Sequence, residues 1–165
     1  MTVVSHFMLP VVVAGLFELR LVRRSGRALF GRRGLALVGF CGTLPDLLTP
    51  HLGLSARYAS WSHTLWFFAA FMLLGLALAR FLAPRHRAVV MMCVFAVFLH
   101  LLCDTVSGGV NLAPVFCRPL GGYYVKPRYW LWLDLVSLVA AYLVCRYTRW
   151  TLAGMNRVEK PAGQL

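Results

Sequence analysis

From Trp61 to Val106 the chain is apolar almost throughout, and its main break is Pro84-Arg85-His86-Arg87. The two halves, Trp61 to Leu82 and Ala88 to Val106, are each close to the ~20 residues that carry an α-helix across a bilayer core. Lipid offers backbone amides no partner, so a spanning chain must close its hydrogen bonds within helices or within a closed barrel. Three more apolar runs follow the same logic: His6 to Val22, Leu35 to Leu48 and Trp130 to Tyr147. The run from Leu35 is short and contains Gly39, Gly42 and Pro45. It predicts a tilted or broken helix, or a re-entrant piece held against protein. The expected fold is an all-α polytopic membrane helix bundle with four to five transmembrane helices, one of them short or broken. One membrane-embedded domain covers residues 1–150, and 151–165 reads as a polar, mobile cytoplasmic tail. No internal repeat or low-complexity segment is present.

Composition supports this reading. The chain is 60% hydrophobic and 13% charged, whereas soluble domains are nearer half apolar and about a quarter charged. The net charge of +12 does not point to nucleic acid, because the basic residues flank apolar runs and form no basic, aromatic-interleaved soluble face. No basic residue precedes the first run and no small-residue cleavage site follows it, so it reads as a retained helix and not as a secretory signal. Glu18 and Arg20, near its end, are placed to snorkel to the interface. The five cysteines (Cys41, Cys93, Cys103, Cys117 and Cys145) include no CxxC. Four lie in apolar runs as small hydrophobes, Cys117 lies in a loop, and no disulfide framework is implied.

Lys and Arg set the orientation. With five crossings, Arg20, Arg23, Arg24, Arg27, Arg32, Arg33, Arg80, Arg85, Arg87, Arg146, Arg149, Arg157 and Lys160 fall on one side, against Arg57, Arg118, Lys126 and Arg128 on the other. The richer side is cytoplasmic, which puts the N-terminus outside and the C-terminus in the cytoplasm of a multi-pass membrane protein.

Within this frame one pair stands out. His100 and Asp104 lie four apart in an apolar run, on one face of a helix. Ionisable groups at membrane depth are costly and functional by default. At 1.5 Å per residue they lie about 18 and 24 Å from the inner end of their run. His6, Asp46, His63 and Asp134 fall in the same outer part of the membrane. Buried carboxylates need a partner or must become neutral, and a divalent cation supplies one. Two imidazoles and two carboxylates suit zinc, and also manganese or iron. Asp104, with two oxygens, has the means to bridge to a second ion helped by His6, giving one or two ions. Blander alternatives stand beside these. His100 and Asp104 also fit a structural hydrogen-bonded pair, Asp46 a helix or turn cap, His63 and His6 interfacial residues, and Asp134 a partner for Lys126 or Arg128. His51 and His86 read as solvated loop residues, and the tryptophans as an interface belt.

Gly42-Thr-Leu-Pro-Asp46, Ser62-His63-Thr64 and His100-Leu-Leu-Cys-Asp104, in that order, resemble the YdjM-like family of predicted inner-membrane metal-dependent hydrolases. That family is distantly similar to zinc-dependent phospholipase C. The resemblance covers most of residues 6–134. It implies Asp46, His63, His100 and Asp104 as primary metal ligands, His6 as a secondary one, and a bacterial inner membrane. The chain departs from the phospholipase-like pattern in having no histidine after His100, which argues against a full trinuclear site.

The function expected from residues and resemblance together is metal-dependent hydrolysis by metal-activated water. The substrate is a phosphoester of a lipid or lipid-linked molecule, and the bilayer is the surrounding partner. Asp134 is the one candidate general base. Arg118, Lys126 and Arg128 are either solvated charges or holders of an anionic head group. Two other classes stay open: a non-catalytic metal-stabilised scaffold or partner-binding subunit, and a small transporter or proton relay. Short segments without repeats count against transport.

Overall fold

The computed structural model describes residues 3–50, 57–111, 121–122 and 125–158. His51, Cys117, Arg118 and residues 159–165 lie outside the described residues. The described elements are helical: α1 (Val3–Ser25), α2 (Gly31–Leu48), a 3-10 turn (Trp61–His63), α3 (Leu65–Phe81), α4 (Pro84–Val106), a 3-10 turn (Pro127–Tyr129) and α5 (Trp130–Val158). Three helices are long and apolar enough to cross a membrane, Val3–Ser25, Pro84–Val106 and Trp130–Met155, and Leu65–Phe81 is apolar but shorter.

The helices pack as a row. α5 lies on α1, α1 on α2, α2 on α4, and α4 on α3, with a smaller contact between α1 and α4. The middle of the row is built from small residues, including Ala14, Val38, Cys41, Cys93, Ala96 and Val97. In lipid, helix association rests on close van der Waals packing, which small residues permit. The flanking helices turn large apolar side chains outward: Leu73, Leu74 and Phe81 on α3, and Leu131, Val136 and Trp150 on α5. Such a surface is suited to acyl chains and would be a liability in water.

One glycine fixes the closest approach in the row. Pro10 has no N–H to give the His6 carbonyl one turn earlier in α1. That carbonyl faces Gly42 of α2, where an added Cβ would stand 2.3 Å from His6 O and 2.7 Å from Pro10 Cγ. The short second run is therefore one helix of 18 residues, with Pro45 a turn before its end.

Three expectations change in detail. Trp61 to Leu82 is not helical throughout. The polar triplet Ser62-His63-Thr64 turns into the protein as a 3-10 turn, and Thr64 caps α3 by accepting the Phe67 N–H, which leaves 17 helical residues. The last helix runs beyond the expected boundary at residue 150, to Val158. Glu18 does not snorkel. It is 2% exposed and accepts the N–H groups of Phe30 and Gly31 at 3.0 and 2.9 Å. A carboxylate there satisfies amides that the start of α2 leaves without intrahelical partners. The same end carries a group of arginines. Arg85 Nε donates to Leu29 O at 2.8 Å and Arg23 donates to the Tyr147 hydroxyl at 3.2 Å. His6, His63, His100, Asp46 and Asp104 gather at the opposite end.

Candidate metal centre

Four side chains from three parts of the chain meet at one point. α2 supplies Asp46, the 3-10 turn supplies His63, and α4 supplies His100 and Asp104. Each offers one ligand atom, and these atoms all lie within 4.8 Å of one another. His63 Nε2 is 3.2 Å from Asp46 Oδ1 and 3.4 Å from Asp104 Oδ2. His100 Nε2 is 3.6 Å from Asp46 Oδ1, 3.3 Å from Asp104 Oδ2 and 3.2 Å from His63 Nε2.

Those five separations test whether a metal fits. A tetrahedron with metal–ligand bonds of about 2.0–2.1 Å has edges of about 3.3–3.4 Å. Five of the six edges, 3.2 to 3.6 Å, bracket that value, and the sixth, between the carboxylates of Asp46 and Asp104, falls within the 4.8 Å that bounds the whole set. The far sides of the imidazoles agree. His100 Nδ1 is 2.7 Å from Gly42 O. A carbonyl only accepts, so Nδ1 carries the hydrogen and Nε2 presents its lone pair to the cluster. His63 Nδ1 meets the hydroxyls of Ser60 and Ser62 at 2.9 and 3.2 Å. Ser62 spends its own hydrogen on Pro45 O at 2.7 Å, so its oxygen accepts from His63. Thr49 also donates to Pro45 O and contacts both serine hydroxyls. Outer partners of this kind fix tautomer and ring direction at metal-ligating histidines. Two imidazole lone pairs and two carboxylate oxygens aimed at one point repel unless a cation stands between them. The donor set therefore fits a divalent ion.

Burial gives the site a direction. The side chains of His63, His100 and Asp104 are 0% exposed, while that of Asp46 is 12% exposed and is the ligand nearest the surface. His6 lies beside the set. Its Nε2 is 3.1 Å from Asp104 Oδ1 and its ring is 4.0 Å from that of His100. Asp104 thus divides its oxygens, Oδ2 toward His63 and His100, and Oδ1 toward His6.

Asp134 is elsewhere. Its Oδ1 accepts from the backbone N–H of Ser5 at 3.1 Å and from the Ser5 hydroxyl, at the first turn of α1. Lys126 and Arg128 are exposed, and Arg128 stacks on Tyr129 at 4.8 Å. Sequence reasoning counts Arg57 as an outer-side charge and, six residues before His63, as a departure from the His-Arg that YdjM-like sequences often carry there; it does not assign it to the site. Arg57 is 6% exposed, with Nη1 3.2 Å from Asp104 Oδ1. The available signal was its isolation, as the single charge between Thr49 and Ser60 in a stretch that leads into His63. Ser60 and Ser62 were also passed over, because a hydroxyl pair around a histidine has no distinctive spacing.

A family model described as YdjM inner membrane protein matches residues 1–157. No curated protein matches the chain, and no solved structure does.

Proposed function

The chain belongs to the YdjM inner membrane protein family, and from that premise we propose that it is a membrane-bound metal-dependent hydrolase acting on a phosphoester of a lipid or lipid-linked substrate. The observation that carries this reading is the convergence of Asp46, His63, His100 and Asp104, with every pair that includes a histidine 3.2 to 3.6 Å apart. A divalent ion there, zinc first and manganese or iron as alternatives, would lower the pKa of a water and polarise a phosphoryl oxygen.

The protein's own groups do the rest. Gly42 O, Ser60 and Ser62 hold the two imidazoles in register. Asp46, partly exposed, marks the side from which a substrate head group approaches. Asp134, accepting from Ser5, ties α5 to the first turn of α1 next to His6 and serves as an anchor. Lys126 and Arg128, both exposed, are suited to attracting an anionic head group. The apolar outer faces of α3 and α5 keep the site in the bilayer, which is the ground for a lipid substrate. We propose the orientation read from the basic residues: the arginine end cytoplasmic and the metal end outside.

One observation favours a second reading. Four protein donors surround the point, the number that closes a structural zinc site, whereas catalytic sites keep a position open. A metal-stabilised scaffold has that closed form. Zinc can expand to five ligands, and metals with higher coordination numbers keep positions open with the same four donors.

The test has two stages. Purified wild type should carry metal, and His100→Ala should carry less than about a tenth as much, since one of four donors and its Gly42 link are gone. Equal metal in both proteins refutes the centre. Wild type should then release phosphate or a head group from a panel of phospholipids and lipid-linked phosphates. A metal-loaded protein with no hydrolysis across the panel leaves the scaffold.

A further inference from the structure

The two oxygens of Asp104 serve different partners. Oδ2 belongs to the four-atom set, 3.4 Å from His63 Nε2 and 3.3 Å from His100 Nε2. Oδ1 points away from it, 3.1 Å from His6 Nε2 and 3.2 Å from Arg57 Nη1. A carboxylate shared in this manner is how two-metal sites are bridged, the second ion taking the second oxygen. Here a guanidinium stands at that second oxygen. Among the described residues, a second ion would find Oδ1 and His6 as evident donors. Among the described residues, Asp46, His63, His100 and Asp104 form the one group of three or more potential ligands.

We propose that Arg57 is the built-in second cation of this site: the chain holds a single divalent ion, and the guanidinium and that ion together bracket the anionic phosphoryl group of the substrate. The inference rests on the metal-centre reading and deepens it.

The charge balance gives the chemical class of ligand. Two carboxylates neutralise one divalent ion. Arg57, 6% exposed and 3.2 Å from Asp104 Oδ1, adds a further positive charge beside them. A divalent ion and a guanidinium on the two oxygens of one carboxylate together favour an anionic ligand. Guanidinium suits phosphoryl oxygens because its planar fork matches their geometry and its charge is permanent. Paired with Asp104, the fork is held in place before substrate arrives, so little side-chain entropy is lost on binding. Arg57 touches the substrate in this account.

The experiment uses the full chain in detergent, loaded with cobalt(II), whose visible absorption reports its ligands, with inorganic phosphate as the probe. Elemental analysis should give one cobalt per chain in wild type and in Arg57→Met. Matching spectra of the two proteins before phosphate would show that the variant is folded with an intact centre. Phosphate should shift the wild-type spectrum, and half-saturation should need at least about tenfold more phosphate in Arg57→Met. Arg57→Lys, which keeps the charge, should recover much of that loss. Two cobalt ions per wild-type chain overturn the inference. Equal phosphate response in wild type and Arg57→Met overturns it, and so does one ion with no phosphate response in either. Failure of wild type to bind cobalt is distinct, since it removes the metal centre itself.

Discussion

Gly42→Ala sets helix propensity against geometry. In an exposed helix interior, alanine in place of glycine stabilises by up to about 1 kcal/mol. At Gly42 the new Cβ would lie 2.3 Å from His6 O and 2.7 Å from Pro10 Cγ. A comfortable carbon–oxygen contact is about 3.3 Å, so α1 and α2 must separate by roughly 1 Å. Neither neighbour is a flexible tip, because one is backbone and the other a ring on a helix. Overpacking of this kind costs about 1–3 kcal/mol, which exceeds the propensity gain. The expected net is a destabilisation of about 1–2 kcal/mol, seen as a lower thermal midpoint in detergent. The site should register the shift as well, because Gly42 O holds His100 Nδ1 at 2.7 Å, and metal affinity should fall about tenfold or more. Gly154→Ala is the control: it sits on α5 with nothing within 4 Å of the added carbon, so the midpoint should hold or rise. A Gly42→Ala protein that melts at or above wild type with full metal affinity would refute the close approach of α1 and α2 at His6.

Three other outcomes follow from separate features. Ser62→Ala removes a hydroxyl that links His63 Nδ1 to Pro45 O, and metal affinity should fall about 10- to 100-fold with little change in fold, measured by competition with a chelator. Glu18→Ala strips the acceptor from two amides at the far end, which should cost about 1–3 kcal/mol in stability while metal content stays at the wild-type level; a parallel loss of metal would contradict the separation of the two ends. A reporter fused after Leu165 should read as cytoplasmic, and an extracytoplasmic reading would reverse the proposed orientation.

The bundle and its cluster of two aspartates and two histidines were legible in the sequence for different reasons. Helices followed from apolar length, because lipid leaves the backbone few alternatives. Asp46, His63, His100 and Asp104 were legible because charge at membrane depth is rare enough to be informative. Their meeting is also forced in part by topology: short connections bring successive helix ends together, so groups at one depth on adjacent helices become neighbours. What stayed hidden depends on direction and not on depth. Glu18 sits at a run's end, where snorkelling is the default, and only the path of the α1–α2 connection turns it inward onto Phe30 and Gly31. Arg57 lies in a loop, whose fold no periodicity describes. Asp134 shares the depth of the cluster but faces Ser5, because α5 packs on α1 at the edge of the row and not on α2 or α4. The start of α3 at Leu65 was obscured since Trp61 continues the apolar run, while the hydroxyl of Thr64 stops the helix short of it.

The edge position of α5 has a temporal meaning during synthesis. Every donor of the proposed centre, from His6 to Asp104, belongs to chain made before Trp130. The last helix adds none, and it contacts α1 above all. In order of emergence, then, the residues of the proposed centre are complete while α5 is still to come. In the folded chain Asp134 fastens to Ser5, the neighbour of His6. α5 acts as a latch on a proposed site to which it gives no donor.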